Sequence, residues 1–353
     1  MIEVNNLVKN YGKYQAVRGI SFKVENGEIL GFLGPNGAGK STTMNMITGY
    51  ISATEGTVTI DGYDILKNPM EAKRRIGYLP EIPPVYMDMT VTEYLKFVSE
   101  LKGVNKKAIK PMLEDIMEKI KITHVSGKLI KNLSKGYRQR VGLAQALVGY
   151  PDVLILDEPS VGLDPKQIIE IRDVIKELGK THTIILSSHI LSEVSAVCSR
   201  VMIINKGKIV AEDTPERLSD RLSSDRYRIR VKGNKEEIIK AFEENKLFAS
   251  VETEESAEEG TVDLFVTGAE GTDPRQAAFE TAKEKGFVLL LIKSEKLTLE
   301  EVFLKVTENA EIEETEETEE TEETKTDEEN SSGSEKKSSE TEENNVSETK
   351  EGK

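Results

Sequence analysis

The stretch Gly34-Pro35-Asn36-Gly37-Ala38-Gly39-Lys40-Ser41-Thr42 restricts the fold more than any other part of the chain. It matches G-x-x-x-x-G-K-[ST], a pattern that functions only between a strand and a helix. Both flanks are present. Residues 29–33 form a short apolar run of strand type, and residues 43–48 place Met44 and Ile47 on one side of a helix. Gly34, Gly37 and Gly39 let the loop fold back with its N–H groups pointing at an anion. The helix N-terminus behind them adds fixed positive potential. Lys40 reaches outer phosphates, and the Ser41 hydroxyl is a ligand for Mg²⁺. A turn that is merely rich in glycine is the competing reading, disfavoured by the strand in front and by Lys-Ser in register. The expectation is an α/β fold that binds a nucleoside triphosphate.

In chain order, residues 2–8, 16–24 and 29–33 read as strands split by turns at 10–12 and 25–27. Tyr11 lies between the first two, where it stacks on a purine or serves as an ordinary packing tyrosine. Residues 56–61 and 75–79 are further short strands, and 90–102 and 106–121 show helical spacing. Thr90 with Glu93 three residues on forms a capping box. The run Leu133-Ser134-Lys135-Gly136-Tyr137 leads into a helix with Val141, Ala144, Leu147 and Val148 on one face. Ser134 and Gly136 offer a second anion site at a helix start or simply cap the helix. Residues 153–156 have the pattern of a fully buried strand and end in Asp157-Glu158. Two carboxylates there divide the work: Asp157 holds Mg²⁺, and Glu158 orients and deprotonates an attacking water. Residues 183–187 repeat the buried pattern, and His189 just beyond them is placed to meet a γ-phosphate. His124 and His182 have no such setting.

Composition narrows the partners. Of the net charge of −15, residues 308–353 carry −14, from 19 acidic and 5 basic residues, and the other 44 acidic and 43 basic residues nearly cancel. A near-neutral body lacks the basic stripe of a nucleic-acid binder, so no nucleic-acid partner is expected. One cysteine, Cys198, excludes an intrachain disulfide and fits a buried, inert thiol in a reducing compartment. No signal peptide is read at the start, and no apolar run approaches the roughly 20 residues that span a bilayer.

Taken together, these motifs resemble the ATP-binding subunit of an ABC (ATP-binding cassette) transporter over about residues 1–222. The resemblance implies a mixed-sheet P-loop cassette with a helical subdomain, ATP and Mg²⁺ as cofactors, and ATP hydrolysis. It makes Tyr11 the adenine-stacking tyrosine and residues 34–42 the Walker A loop. Residues 154–157 become the Walker B strand, Glu158 the catalytic base, 160–164 the D-loop with Asp164, His189 the switch histidine, and 133–137 the signature. Two departures stand out. The signature reads Leu-Ser-Lys-Gly-Tyr, keeping Ser134 and Gly136, and the Q-loop position is Glu81, which still ligates Mg²⁺ but cannot donate an amide hydrogen bond. These features and the C-terminal extension resemble ABC-2-type exporters. The family pairs one chain's Walker A with another's signature, so the partners implied are a second copy (or a related subunit) and transmembrane permease subunits docked near Glu81 and residues 90–121. That places the chain on the cytoplasmic face of the cell membrane. The alternatives are a non-transport ABC ATPase acting on ribosomes or DNA, and a non-hydrolytic regulatory module.

Residues 223–307 alternate in the order β-α-β-β-α-β, the split βαβ arrangement, with a last helix over 298–306. They are expected to form a small α+β accessory domain for dimer contact or docking. Residues 308–353 repeat Glu-Glu-Thr with few apolar residues, which predicts a disordered acidic tail.

Overall fold

A computed structural model describes residues 1–222, 226–254, 256, 258–269, 271–294, 299–304 and 307. The expected acidic tail and part of the last helix lie outside the described residues. The chain opens with β1 (Ile2–Tyr11), β2 (Tyr14–Val24), β3 (Ile29–Leu33), α1 (Lys40–Ile47), β4 (Glu55–Ile60), β5 (Tyr63–Asp64), α2 (Pro69–Arg74) and β6 (Ile76–Leu79). A helical segment follows: α3 (Val91–Leu101), α4 (Lys106–Lys119) and α5 (Lys135–Leu147). Then come β7 (Val153–Asp157), α6 (Pro165–Leu178), β8 (Thr183–Ser187), α7 (Leu191–Val197), β9 (Arg200–Asn205), β10 (Lys208–Asp213) and α8 (Pro215–Leu222).

These elements build two sheets. An antiparallel one runs β2-β1-β4-β5, and the central one runs β10-β9-β3-β8-β7-β6. The central sheet is parallel from β9 to β6, with β10 added antiparallel at one edge. Every residue of β3, β7 and β8 is buried, as a parallel sheet covered on both faces requires. One core joins the two sheets: Val4, Leu7 and Phe22 pack in the same cluster as Phe32, Ile155 and Met202. In the helical segment, Thr90 accepts from Glu93 N–H while the Glu93 carboxylate accepts from Thr90 N–H, the expected capping box.

The remaining elements are β11 (Arg226–Lys232), α9 (Lys235–Glu243), β12 (Phe248–Glu254), β13 (Thr261–Gly268), α10 (Pro274–Lys285) and β14 (Val288–Ser294). They follow the anticipated β-α-β-β-α-β order. Their sheet is antiparallel, β12-β13-β11-β14, and has its own core of Ile229, Val231, Phe242, Leu264 and Val266. On the strand positions that alternate with this core, Arg228 and Arg230 close on the fully buried Asp263 at 2.6 and 2.7 Å. Cys198 is a buried free thiol whose pKa burial pushes up.

Candidate active site

Strands β3, β8 and β7 are sheet neighbours, so the loops that leave their C-terminal ends emerge together. Register aligns Ser187 with Phe32 on one side and Asp157 on the other. The glycine loop after β3, Glu158 after β7 and His189 after β8 therefore surround one cavity of about 400 Å³. The loop contributes Asn36, Gly37, Gly39, Lys40, Ser41 and Thr42; Glu158, Val161 and His189 face them, and Glu81 enters from the end of β6.

Glycine is obligatory at two loop positions. Gly39 sits at φ 107°, and a Cβ there would lie 2.6 Å from the Ala16 carbonyl; at Gly34 a Cβ would lie 2.3 Å from the Ile204 carbonyl. The loop thus threads between β2 and β9, and a side chain at either position would force it out. Ala38 is buried, with its N–H on the Pro35 carbonyl and its own carbonyl accepting from Gly207 N–H, so it shapes the loop from within. Lys40 is also buried, and its Nζ donates to the carbonyls of Gly34 (2.7 Å) and Pro35 (3.2 Å). An ammonium has three donors, which leaves one for a ligand oxygen. Burial lowers the Lys40 pKa, while Glu158, Asp157 and Glu81 act in the opposite direction. Gly34 and Pro35 line an adjoining cavity of about 180 Å³ with Asn36, Ser188 and His189.

Asp157 is buried and accepts from the Ser187 hydroxyl at 2.5 Å. Glu158 adopts φ 50°, a left-handed conformation that costs energy in a residue with a side chain and recurs at functional sites. Its N–H donates to Ser187, and its Oε2 receives both His189 Nδ1 (2.6 Å) and His189 N–H (3.4 Å). A carboxylate and an imidazole are thereby fixed as a pair beside the loop.

Tyr11 lines the cavity from the tip of the β1–β2 hairpin, half exposed. Its cross-strand partner there is Tyr14, which lines the cavity too and which the sequence reading overlooks. The signal was available: a Gly12-Lys13 turn pairs the residues on either side of it.

Gly34, Pro35, Ala38 and Asp157 are not among the residues that line this cavity, and three further expected residues lie on other elements. Ser134 caps α5, accepting from Tyr137 N–H at 3.5 Å. Gly136 is buried, and a Cβ there would collide with Gln167 at 2.3 Å. Asp164 caps α6, accepting from Gln167 N–H at 2.9 Å. Within one chain these residues sit at the starts of α5 and α6, apart from the cavity.

An ammonium in a glycine loop, a hydroxyl at the following helix start and a carboxylate–imidazole pair opposite them can bind a polyphosphate and activate water against it. Fold and site together define a P-loop nucleoside triphosphatase. Comparison with known proteins resolves the family within that class. The ABC transporter family model matches residues 17–161. The chain is 38% identical to the linearmycin resistance ATP-binding protein LnrL of Bacillus subtilis (strain 168) over 226 residues, 64% of this chain and 73% of that protein. It is 32% identical to the uncharacterized ABC transporter ATP-binding protein YxlF of the same strain over 306 residues, 87% of this chain and 99% of that one. A solved structure of the ATP-binding subunit of an ABC transporter superposes with a TM-score of 0.58 at 29% identity, covering 63% of this chain and 93% of that chain. The chain belongs to the ATP-binding proteins of ABC transporters, and it binds and hydrolyses ATP. Among the described residues no helix is long and apolar enough to cross a membrane.

Proposed function

We propose that the chain powers an exporter: two copies close on two Mg²⁺–ATP, and hydrolysis drives separate permease subunits in the membrane. The carrying observation is one cavity that holds both Lys40, with a donor to spare, and the Glu158–His189 pair. In this reading Tyr11 and Tyr14 receive the adenine, and the N–H groups of residues 34–42 and Lys40 hold the phosphates. Glu158 takes the proton of the attacking water, and His189 orients Glu158 and faces the γ-phosphate.

The donor set suits Mg²⁺. Ser41, Asp157 and Glu81 are hard oxygen ligands, and Mg²⁺ uses one or two carboxylates together with substrate phosphates rather than a cage made by protein alone. When bound, the ion offsets the charge of a triphosphate next to three carboxylates and polarises the bond to be broken. Ser187 holds Asp157 in place for that contact.

Ser134, Gly136 and Asp164 lie off the cavity, which supports their acting on the nucleotide of a second copy. Ile82 is 82% exposed and Tyr86 half exposed, immediately after Glu81, which supports a permease docking there at the cytoplasmic face of the membrane. The resistance protein among the relatives supports export as the direction. The test is Glu158→Gln: ATP turnover falls by about 10²–10⁴-fold, the range for a general base, while ATP binding persists. Turnover at the wild-type rate would refute the assignment.

A further inference from the structure

Glu193, on α7, plays no part in the chemistry above, yet its carboxyl is buried at 8% exposure directly behind the site. Its Oε2 accepts from Ser160 Oγ at 2.5 Å and from Ser188 Oγ at 3.5 Å, and Ser188 Oγ in turn accepts from Ile190 N–H at 3.0 Å. Ser160 stands two residues after Glu158, and Ser188 is the neighbour of His189. One carboxyl oxygen thus gathers a hydroxyl from each of the two loops that present the catalytic pair. Both serines are buried as well, so water does not compete for these bonds. The other carboxyl oxygen, Oε1, is buried without a hydrogen-bond partner among the described residues, a cost that packing alone does not justify.

We infer that Glu193 is a positioning residue for hydrolysis, tying the Ser160 loop to the Ser188 loop so that Glu158 and His189 stay within hydrogen-bonding distance. The inference rests on the reading of Glu158 and His189 as the reacting pair. Burial pushes the Glu193 carboxyl's pKa up, against the pull of both hydroxyls. The tie itself is the carboxyl Oε2, which accepts from both hydroxyls. An amide can therefore replace it, whereas an apolar side chain removes the tie and still packs, because Ile171, Ile175, Leu186 and Val197 line the space around it.

The experiment measures steady-state ATP turnover by the full chain for Glu193→Leu, Glu193→Gln, His189→Ala and the Leu–Ala double variant. Glu193→Leu is expected to lower kcat roughly tenfold with the KM for ATP within about twofold, as for a misplaced catalytic group. Glu193→Gln is expected to stay within about threefold of wild type, because its carbonyl still accepts both hydroxyls. In the His189→Ala background Glu193→Leu should cost nothing more, a result that a merely structural role does not produce. Should Glu193→Leu not fold, Ser160→Ala combined with Ser188→Ala replaces it with the same expectation. An undiminished kcat in the folded variant, or the same loss on top of His189→Ala, overturns the inference while leaving the catalytic pair intact. If His189→Ala alone turns over like wild type, the reading of the site fails first and the inference falls with it.

Discussion

The central sheet and the C-terminal sheet each bury carboxylates beside cations, yet they use them in opposite ways. Around Asp263 every charge is consumed. Arg228 and Arg230 saturate the carboxylate, which is fully buried, and they reach outward to Glu254 and Glu258. Around Lys40 the charges are held apart. The ammonium rests on backbone carbonyls, Asp157 on a serine hydroxyl and Glu158 on His189, and Lys40, Glu158 and His189 face a 400 Å³ space. Charges that neutralise one another stabilise a fold, whereas charges fixed by neutral groups keep their capacity for a ligand. The chemistry therefore belongs to the first region, and the charges of the second hold its own sheet together.

Substitutions can break this contrast. Lys40→Ala should weaken ATP binding by about 10–100-fold, the equivalent of one charged hydrogen bond, with little change in melting temperature. An unchanged affinity in a calorimetric titration would mean that Lys40 is as spent as Arg230. Asp263→Asn should do the reverse. It should lower the stability of the C-terminal sheet by about 2 kcal/mol in denaturant unfolding and leave turnover by the folded chain within about twofold. The pH dependence has a definite sign. Hydrogen bonding to Arg230, then to Arg228, draws the Asp263 pKa from 3.8 to about 2. Its stabilisation is thus complete above pH 4 and fades as the pH falls toward 2, by about 1–2 kcal/mol after allowing for screening of the part-exposed arginines. Insensitivity of the Asp263→Asn variant's stability difference to pH in that window would contradict the pairing.

Much of this was legible in the chain itself. The loop at 34–42, the Asp157-Glu158 strand end, His189 and the β-α-β-β-α-β order all rest on local patterns, and the structure brings most of the loop, Glu158 and His189 to one cavity. Where the reading stops short, the signal is either non-local or passed over. The sequence reading assigns no element between Asp164 and Thr183, although Asp164-Pro165 is a helix start with a cap and a first-turn proline. It passes over the β9–β10 hairpin as well, despite its Lys206-Gly207 turn. Tyr14 needs the strand pairing, and Glu193 needs the tertiary fold, because nothing in the sequence announces that Ser160 and Ser188 converge on it. The same limit applies to Ser134 and Gly136, whose placement away from the cavity in one chain fits the proposed pairing with a second.

The proposed dependence on a second chain can be measured directly. Cys198 is the chain's one cysteine and is buried, so cysteines introduced by Asn36→Cys and Ser134→Cys report without background. In a Glu158→Gln chain that carries both, ATP should produce an interchain disulfide under mild oxidation, and its omission should abolish the product. ATP binding without any interchain cross-link would contradict the claim that the cavity of one copy is completed by the α5 start of the other.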